Sequence, residues 1–511
     1  VDIRPELLDL LARRALTEDA ARPEAVDKLH ARGGRTAREN LAALVDPGSF
    51  VEYGRYVTAA QEQRRGLDDL LDRSVADGIV GGLATIGGRQ VAVLSYDYLV
   101  MAGTQGMRGH RKTDRLLDVV DRLALPTIFF AAGGGGRPGD VDMPLVSALD
   151  VTTFAAWARL SGRAPRIAVV EDNCFAGNAV IAGCSDLVVA TPRASLGMGG
   201  PAMIAGGGLG DVPAAEVGPA DVMVANGVID LLVDDGDAVD AAAVLLGYFL
   251  GREQEWTAAD QTVLRDAVPD GERTAYELEP IVETLADEGT VTVLRPGFAP
   301  ELLTALGRLE GRTVGWIGND TRHTAGAITA DAGDKAARFL QLCDAFGFPV
   351  VSLVDTPGMM VGPDAERTAL VRHTSRLLVA GARLSVPLLG VVLRRGYGLG
   401  AQAMLGGSTH EPLLTLAWPG AHLGAMGLEG AVRLSMRREL EAIEDDDERD
   451  AKVRELTALA QAHSTALEVA RHFEIDDVVD PAETRGILAR MVDAAARDGR
   501  LVGSGLPVDT W

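Results

Sequence analysis

The sequence is poor in the residues that build covalent, metal-bound or membrane-embedded structures. Its three cysteines, Cys174, Cys184 and Cys343, are too few for a disulfide framework. They suggest a reducing compartment, and a cytoplasmic location is expected. No Cys-x-x-Cys pair exists, which excludes a zinc ribbon. The eight histidines show no metal-ligand spacing, and no metal is expected. Basic residues are outnumbered, 49 against 73, for a net charge of −24. A duplex-binding surface needs a basic footprint, so nucleic acid is excluded as a partner. No apolar run approaches the roughly 18 residues of a membrane helix, and Val91 to Leu99 is only strand-sized. The N-terminus reads charged and amphipathic from Asp2 to Arg14, unlike a signal peptide. No phosphate-cradling G-x-x-x-x-G-K-[ST] loop and no G-x-S-x-G elbow is present.

Glycine, by contrast, is abundant: 60 residues, many clustered directly after apolar runs. With 47% hydrophobic and 24% charged residues, the composition is that of an ordinary globular protein. Its length of 511 residues accommodates two large units. An internal repeat organises them. Ala102-Gly103, Lys112, Arg115, Asp121, Pro126 and Gly135 each match the residue type 223 positions later, from Ala325-Gly326 to Gly358. Gly177 matches Gly400 at the same offset. The pattern A-x-P-x-A-x-L-G then recurs at Ala190–Gly197 and Ala417–Gly424, the offset having grown to 227. An ordered series of this kind indicates a duplication.

Each repeat reads as helix (Lys112 to Leu123; Lys335 to Phe346), strand (Pro126 to Phe130; Pro349 to Val354), then a glycine turn. A second helix, a second strand (Arg166 to Val170; Leu388 to Leu393) and a second glycine turn follow. The alternation predicts parallel α/β layers in two similar domains, the boundary lying within Glu253 to Glu279. The second turns, Phe175-Ala-Gly-Asn178 and Tyr397-Gly-Leu-Gly400, each feed a buried helix. A glycine at a helix start exposes backbone N–H donors, backed by the helix dipole, to developing negative charge. The same pattern also serves tight strand–helix packing. Arg108, Arg111, Lys112 and Arg115 form a basic cluster on a helical face in an acidic protein. It suits either phosphate groups of a nucleotide-bearing substrate or a solvated face paired with Asp114 and Asp118. The acidic run Glu441 to Asp450 reads as an exposed helix–turn–helix tip.

At these residues the chain resembles a known family, the β-type carboxyltransferase component of biotin-dependent acyl-CoA carboxylases. Further likeness lies in Leu29 to Glu39, Leu44 to Glu52, Met101 to Met107, Gly133 to Asp140 and Gly197 to Met203. In the second half it lies in Asp355-Thr-Pro-Gly358, Tyr397 to Gln402, Met426 to Ala431 and Phe473 to Asp477. The wording is closest to the branch at the C-terminal end of fused single-chain carboxylases, which suits a chain beginning at Val1. The resemblance implies a duplicated ClpP/crotonase-like α/β fold. Residues 1–255 would form the acyl-CoA side and 256–511 the biotin side, in a hexamer built from dimers.

Carried over by motif, the backbones of Gly177 and Asn178 would hold the thioester oxygen, and those of Leu399 and Gly400 the biotin ureido oxygen. Tyr397, Gly398, Asp355, Thr356, Pro357 and Gly358 would surround biotin. Gly133, Gly134, Gly135, Arg108, Arg111, Lys112 and Gln402 would contact the coenzyme A ester. The family often carries Gly-Gly where this chain has Gly177-Asn178, and Gly-Gly-Ala where it has Gly398-Leu-Gly400. Backbone donors survive both changes. None of the four lysines, Lys28, Lys112, Lys335 and Lys452, lies in an Ala-Met-Lys-Met context. Carboxybiotin would therefore come from a biotin carboxylase and a biotin carboxyl carrier, as partner subunits or upstream domains. The motifs equally fit a carboxyacyl-CoA decarboxylase subunit or a catalytically idle scaffold. A biotin-free hydratase would need carboxylates near the first turn, where Glu171 and Asp172 are the candidates. Acyl chain length is not encoded in any single motif.

Overall fold

The structure, a computed structural model, describes residues 4–142, 147–271, 274–496 and 501–511. Residues 272 and 273 of the expected boundary stretch lie outside them. The chain divides into two compact units, Val1–Leu250 and Gly251–Asp509. Each is built on one mixed sheet.

In the first unit the sheet order is Val51–Glu52, Ile79–Ile86, Arg89–Tyr96, Thr127–Phe130, Arg166–Val170, Leu187–Ala190 and Leu231–Leu232. The first three strands run antiparallel and the rest parallel. The second unit repeats this with Leu302–Leu309, Arg312–Asn319, Val350–Thr356, Leu388–Tyr397 and Leu414–Ala417, flanked by Thr292–Leu294 and Asp477–Val478. The expectation of purely parallel layers missed the hairpin that opens each unit. Its turns, Gly87-Gly88 and Glu310-Gly311, have positive φ at both central residues, the geometry that matches strand twist. The central parallel strands are buried on both faces and so read as unbroken apolar runs.

The helices expected from Lys112 and Lys335 start earlier, spanning Met107–Leu123 and Ala330–Phe346. Their apolar positions Leu116, Leu117 and Val120, and Phe339, Leu340 and Leu342, are buried. Left-handed residues, Ala124 and Gly347, end them, each two residues before a proline. The acidic run Glu441 to Asp450 does lie exposed at the turn between helices Arg437–Glu441 and Asp446–Ala462.

Sheet register refines the repeat. Ala92 pairs with Thr127 and Gly315 with Val350, which keeps the 223-residue offset. Thr127 then pairs with Arg166, and Val350 with Leu388, which shortens the offset to 222. The match of Gly177 to Gly400 is therefore corrected by one residue. Ala176 stands where Gly398 stands, Gly177 where Leu399 stands, and Asn178 where Gly400 stands. The backbone agrees, since Ala176 and Gly398 both have positive φ, 51° and 59°.

The repeated lysines are structural. Lys335 Nζ donates to the carbonyls of Arg295, Phe298 and Ala299 at 2.9, 2.8 and 3.3 Å. Lys112 Nζ donates to those of Ala76 and Ile79. Ala76 and Ala299 are equivalent residues, both with positive φ, in the turn that enters the hairpin. Each lysine thus satisfies carbonyls that a strained turn leaves without ladder partners. Burial, partly offset by Glu301 and Glu52, pushes Lys335 down to about 7 and Lys112 down to about 8. An unfolded lysine titrates near ~10.4. Between about pH 7 and 10 the unfolded chain therefore holds protons that the folded chain has released, so stability rises with pH. Urea midpoints of the wild type are expected to climb across that window. Lys335→Met should flatten the climb and cost about 1–3 kcal/mol at pH 9 by orphaning the carbonyls. A flat wild-type profile would show that the carbonyls keep both lysines charged.

Candidate active site

Both second glycine turns form helix N-termini, Gly177–Gly183 and Gly398–Met404. Their first N–H groups, on Gly177 and Asn178 and on Leu399 and Gly400, have no acceptor within the helix. Register thus makes the four expected oxyanion donors two equivalent pairs. At the first turn, Ala176 holds φ 51° and ψ −121°, a conformation that favours glycine and costs an alanine about 1–3 kcal/mol. Its N–H donates to Gly197 at 2.9 Å, and Trp157 Nε1 holds the helix from below through Ile181 at 2.9 Å. At the second turn, Gly398 is needed both for its φ and because a Cβ would sit 3.0 Å from the Ala425 carbonyl. Leu399 is 64% exposed, so this turn opens to the surface of its unit.

The glycine loops brought against these turns are not themselves donors. The N–H groups of Gly133, Gly134 and Gly135 already reach Asn173 O, Ala102 O and Asn178 Oδ1, at 2.7, 3.0 and 3.0 Å. These glycines instead permit close approach. In the second unit a Cβ on Gly400 would lie 2.6 Å from Gly358, so the Asp355–Gly358 loop and the Tyr397–Gly400 turn meet main chain to main chain. The Thr356 hydroxyl receives the Gly358 N–H at 3.1 Å. Tyr397 is buried, and Pro357 is half-buried at the loop's bend.

Asp355 lies behind the loop. It is fully buried and accepts from Arg394 Nε, Arg395 Nε and Tyr276 Oη at 2.9, 2.6 and 2.9 Å. Its carboxylate is saturated, so it positions the loop and does not face a ligand.

The basic cluster is dispersed. Lys112 is buried under the turn that enters the hairpin, which corrects its expected role as a phosphate ligand. Arg108 makes two 2.7 Å contacts with Glu62. Arg115 pairs with Asp118, whereas Asp114 accepts the hydroxyls of Thr152 and Thr153. Arg111 is exposed like Arg115 but, unlike it, has no ion-pair partner among the described residues. Gln402 is exposed one turn along the helix from Gly398.

Glu171 is half-buried and accepts from Asn40 Nδ2 at 2.6 Å, with desolvation raising its pKa above the usual carboxylate value. Asp172 accepts the Asn173 N–H. No group of His, Cys, Asp and Glu among the described residues could hold a metal. No helix there is long and apolar enough to cross a membrane.

Gln105 and Phe154 were not singled out from sequence. A Cβ on Gly177 would collide with Gln105 Oε1 and lie 2.9 Å from Phe154 Cζ. Gln105 is buried, its Nε2 held by Tyr96 Oη at 2.8 Å. The signal for Gln105 was its place in Met101-Ala-Gly-Thr-Gln-Gly-Met, just ahead of the basic helix. Phe154 carried none.

The carboxyl transferase domain family matches residues 28–502. The methylmalonyl-CoA carboxyltransferase 12S subunit of Propionibacterium freudenreichii subsp. shermanii is 32% identical over 499 residues, covering 95% of this chain and 93% of that protein. The crystal structure of transcarboxylase 12S, described as a hexamer with methylmalonyl-coenzyme A and methylmalonic acid bound, aligns with TM-score 0.85 at 31% identity over 99% of both chains. A single-chain, multi-domain long-chain acyl-CoA carboxylase aligns with TM-score 0.91 at 50% identity, covering 96% of this chain and 49% of that one. The present chain thus spans about half the length of that carboxylase. The fold is the duplicated crotonase-like one of these structures, and the chain belongs to the carboxyl transferase family, the carboxyltransferase component of biotin-dependent acyl-CoA carboxylases.

Proposed function

We propose that the chain transfers a carboxyl group between carboxybiotin and the α-carbon of an acyl-CoA. The observation that carries this reading is the pair of register-equivalent helix N-termini, each with two free backbone donors. The first unit, with Gly177 and Asn178, takes the acyl-CoA. The second, with Leu399 and Gly400, takes biotin. A ureido oxygen needs converging donors with little side-chain obstruction, and Gly398, Leu399 and Gly400 supply a helix start with glycine on either side of an exposed leucine. When bound, carboxybiotin supplies the carboxyl group and accepts the α-proton. The Gly177 and Asn178 N–H groups hold the thioester oxygen as it becomes an enolate, and they strengthen as its charge grows. Helix dipoles add to the same field. Gln105 and Phe154 close the space beside Gly177, which restricts how the acyl group lies. Partners carry biotin and its carboxylation, and the chain works as a homo-oligomer. Favouring the decarboxylation direction or an idle scaffold would need an observation that neither turn provides.

Reverse transfer tests this directly. Purified protein receives malonyl-CoA or methylmalonyl-CoA with free biotin or biocytin, and loss of the carboxyl group is followed. Turnover is expected, and Gly177→Val and Gly400→Val should each lower it by about 10²–10³ or more. A folded oligomer that binds coenzyme A esters but never turns over would point to the idle scaffold. Arg111→Ala is expected to raise KM for the coenzyme A ester about five- to tenfold at unchanged kcat, as loss of one partly solvated charged contact predicts. An unchanged KM would remove Arg111 from the phosphate site.

A further inference from the structure

The two units satisfy the same loop amide with different side chains. Gly135 N–H donates to Asn178 Oδ1 at 3.0 Å, whereas its counterpart Gly358 N–H donates to Thr356 Oγ1 at 3.1 Å. Thr356 is the counterpart of Gly133, and Gly400 that of Asn178, by the register of the strands that precede them. One unit therefore supplies the acceptor from the helix, and the other from the end of the strand that leads into the loop. Neither side chain can simply be moved to the other unit. A Cβ on Gly133 would collide with the Gly103 carbonyl as well as with Asn178 Nδ2, and one on Gly400 would lie 2.6 Å from Gly358. Asn178 is fully buried, and its Nδ2 also donates to the carbonyls of Ala131 at 3.1 Å and Gly103 at 3.4 Å. Its carboxamide therefore touches three separate stretches: the strand end, the Met101–Gly103 turn and the glycine loop.

We propose that the Asn178 carboxamide is a positioning residue for the first oxyanion turn, a brace that locks the helix start bearing the Gly177 and Asn178 donors to the Gly133–Gly135 loop. This rests on the carboxyl-transfer reading of that turn. A backbone donor displaced by about 1 Å costs roughly 10² in rate, so a side chain that never contacts the substrate still sets kcat.

Removing the carboxamide tests it. Asn178→Gly should lower kcat about 10- to 100-fold, with KM for the coenzyme A ester within about threefold, and should abolish hydrogen-exchange protection of the Gly135 amide. Asn178→Ala, which keeps the Cβ and places a better helix former there, should show the same two losses. Wild-type kcat, or unchanged Gly135 protection, in either folded variant would overturn the brace. If Asn178→Gly does not fold, Asn178→Ala decides by the same two readouts. Hydrogen exchange needs no turnover. A wild type without carboxyl transfer would sink the functional reading, while the loss of Gly135 protection would still decide the brace.

Discussion

The proposed site, made of main-chain N–H groups, depends on one constraint: neighbouring backbones must approach to van der Waals contact with nothing between them. This chain meets it repeatedly. A Cβ on Gly103 would lie 2.9 Å from the Ala132 carbonyl, one on its counterpart Gly326 2.6 Å from the Asp355 carbonyl, and one on Gly400 2.6 Å from Gly358. The high glycine content follows from these contacts as well as from the positive φ that many other glycines hold. The same constraint creates a problem, because loops stripped of side chains carry few interactions that hold them in place.

Buried ions behind the loops solve it. Asp355 ties its loop to Arg394 and Arg395, and Arg395 in turn holds the Ala325 carbonyl at 2.8 Å. In the first unit Arg137, within the glycine-rich run, reaches Asp77 and the Thr104 carbonyl. Arg166 and Asp186 join adjacent parallel strands beneath the first turn, with Arg166 also bonded to the Trp157 carbonyl. Such pairs add little net stability over apolar packing, but breaking one costs about 3–5 kcal/mol. Their value here is geometric. Each fixes one strand end or loop, and a loop held at its base needs no side chain at its tip.

Much of this was legible in sequence, and the failures have physical causes. The duplication, the long helices and the strand Arg166–Val170 could be read because periodicity and apolar runs report burial directly. The opening hairpins were missed because Gly87-Gly88 looked like any other glycine cluster, and Arg89 and Gln90 masked the strand's start. The repeat was misaligned by one residue at Gly177 because glycine matched glycine. Only hydrogen-bond register shows that Ala176, not Gly177, occupies the left-handed position. Lys112 was read as a surface cation because helical spacing places it beside Arg108. Burial is a tertiary property, and the carbonyls it serves lie more than 30 residues upstream. The side-chain role of Asn178 was invisible for the same reason, since its partners lie 43, 47 and 75 residues away.

The division of labour between ions and dipoles explains why the turns themselves carry so little charge. The atoms that a Cβ on Gly177 or Gly400 would meet belong to Gln105, Phe154 and Gly358, all uncharged. A fixed cation beside an oxyanion would stabilise it, but it would also bind carboxylates and phosphates that resemble the substrate's own charged groups. Backbone dipoles act strongly only at short range and in one direction, so in the proposed reaction they would favour the oxygen on which charge develops. Keeping Asp355, Arg394 and Arg395 behind the loop lets their charges cancel at close quarters. The field in front of the loop is then left to the helix termini. Duplication gave the chain two such fields on one scaffold. The exchange of side chains between Gly133–Asn178 and Thr356–Gly400 satisfies the same loop amide in both units, while Ala176 and Gly398 keep the same positive φ.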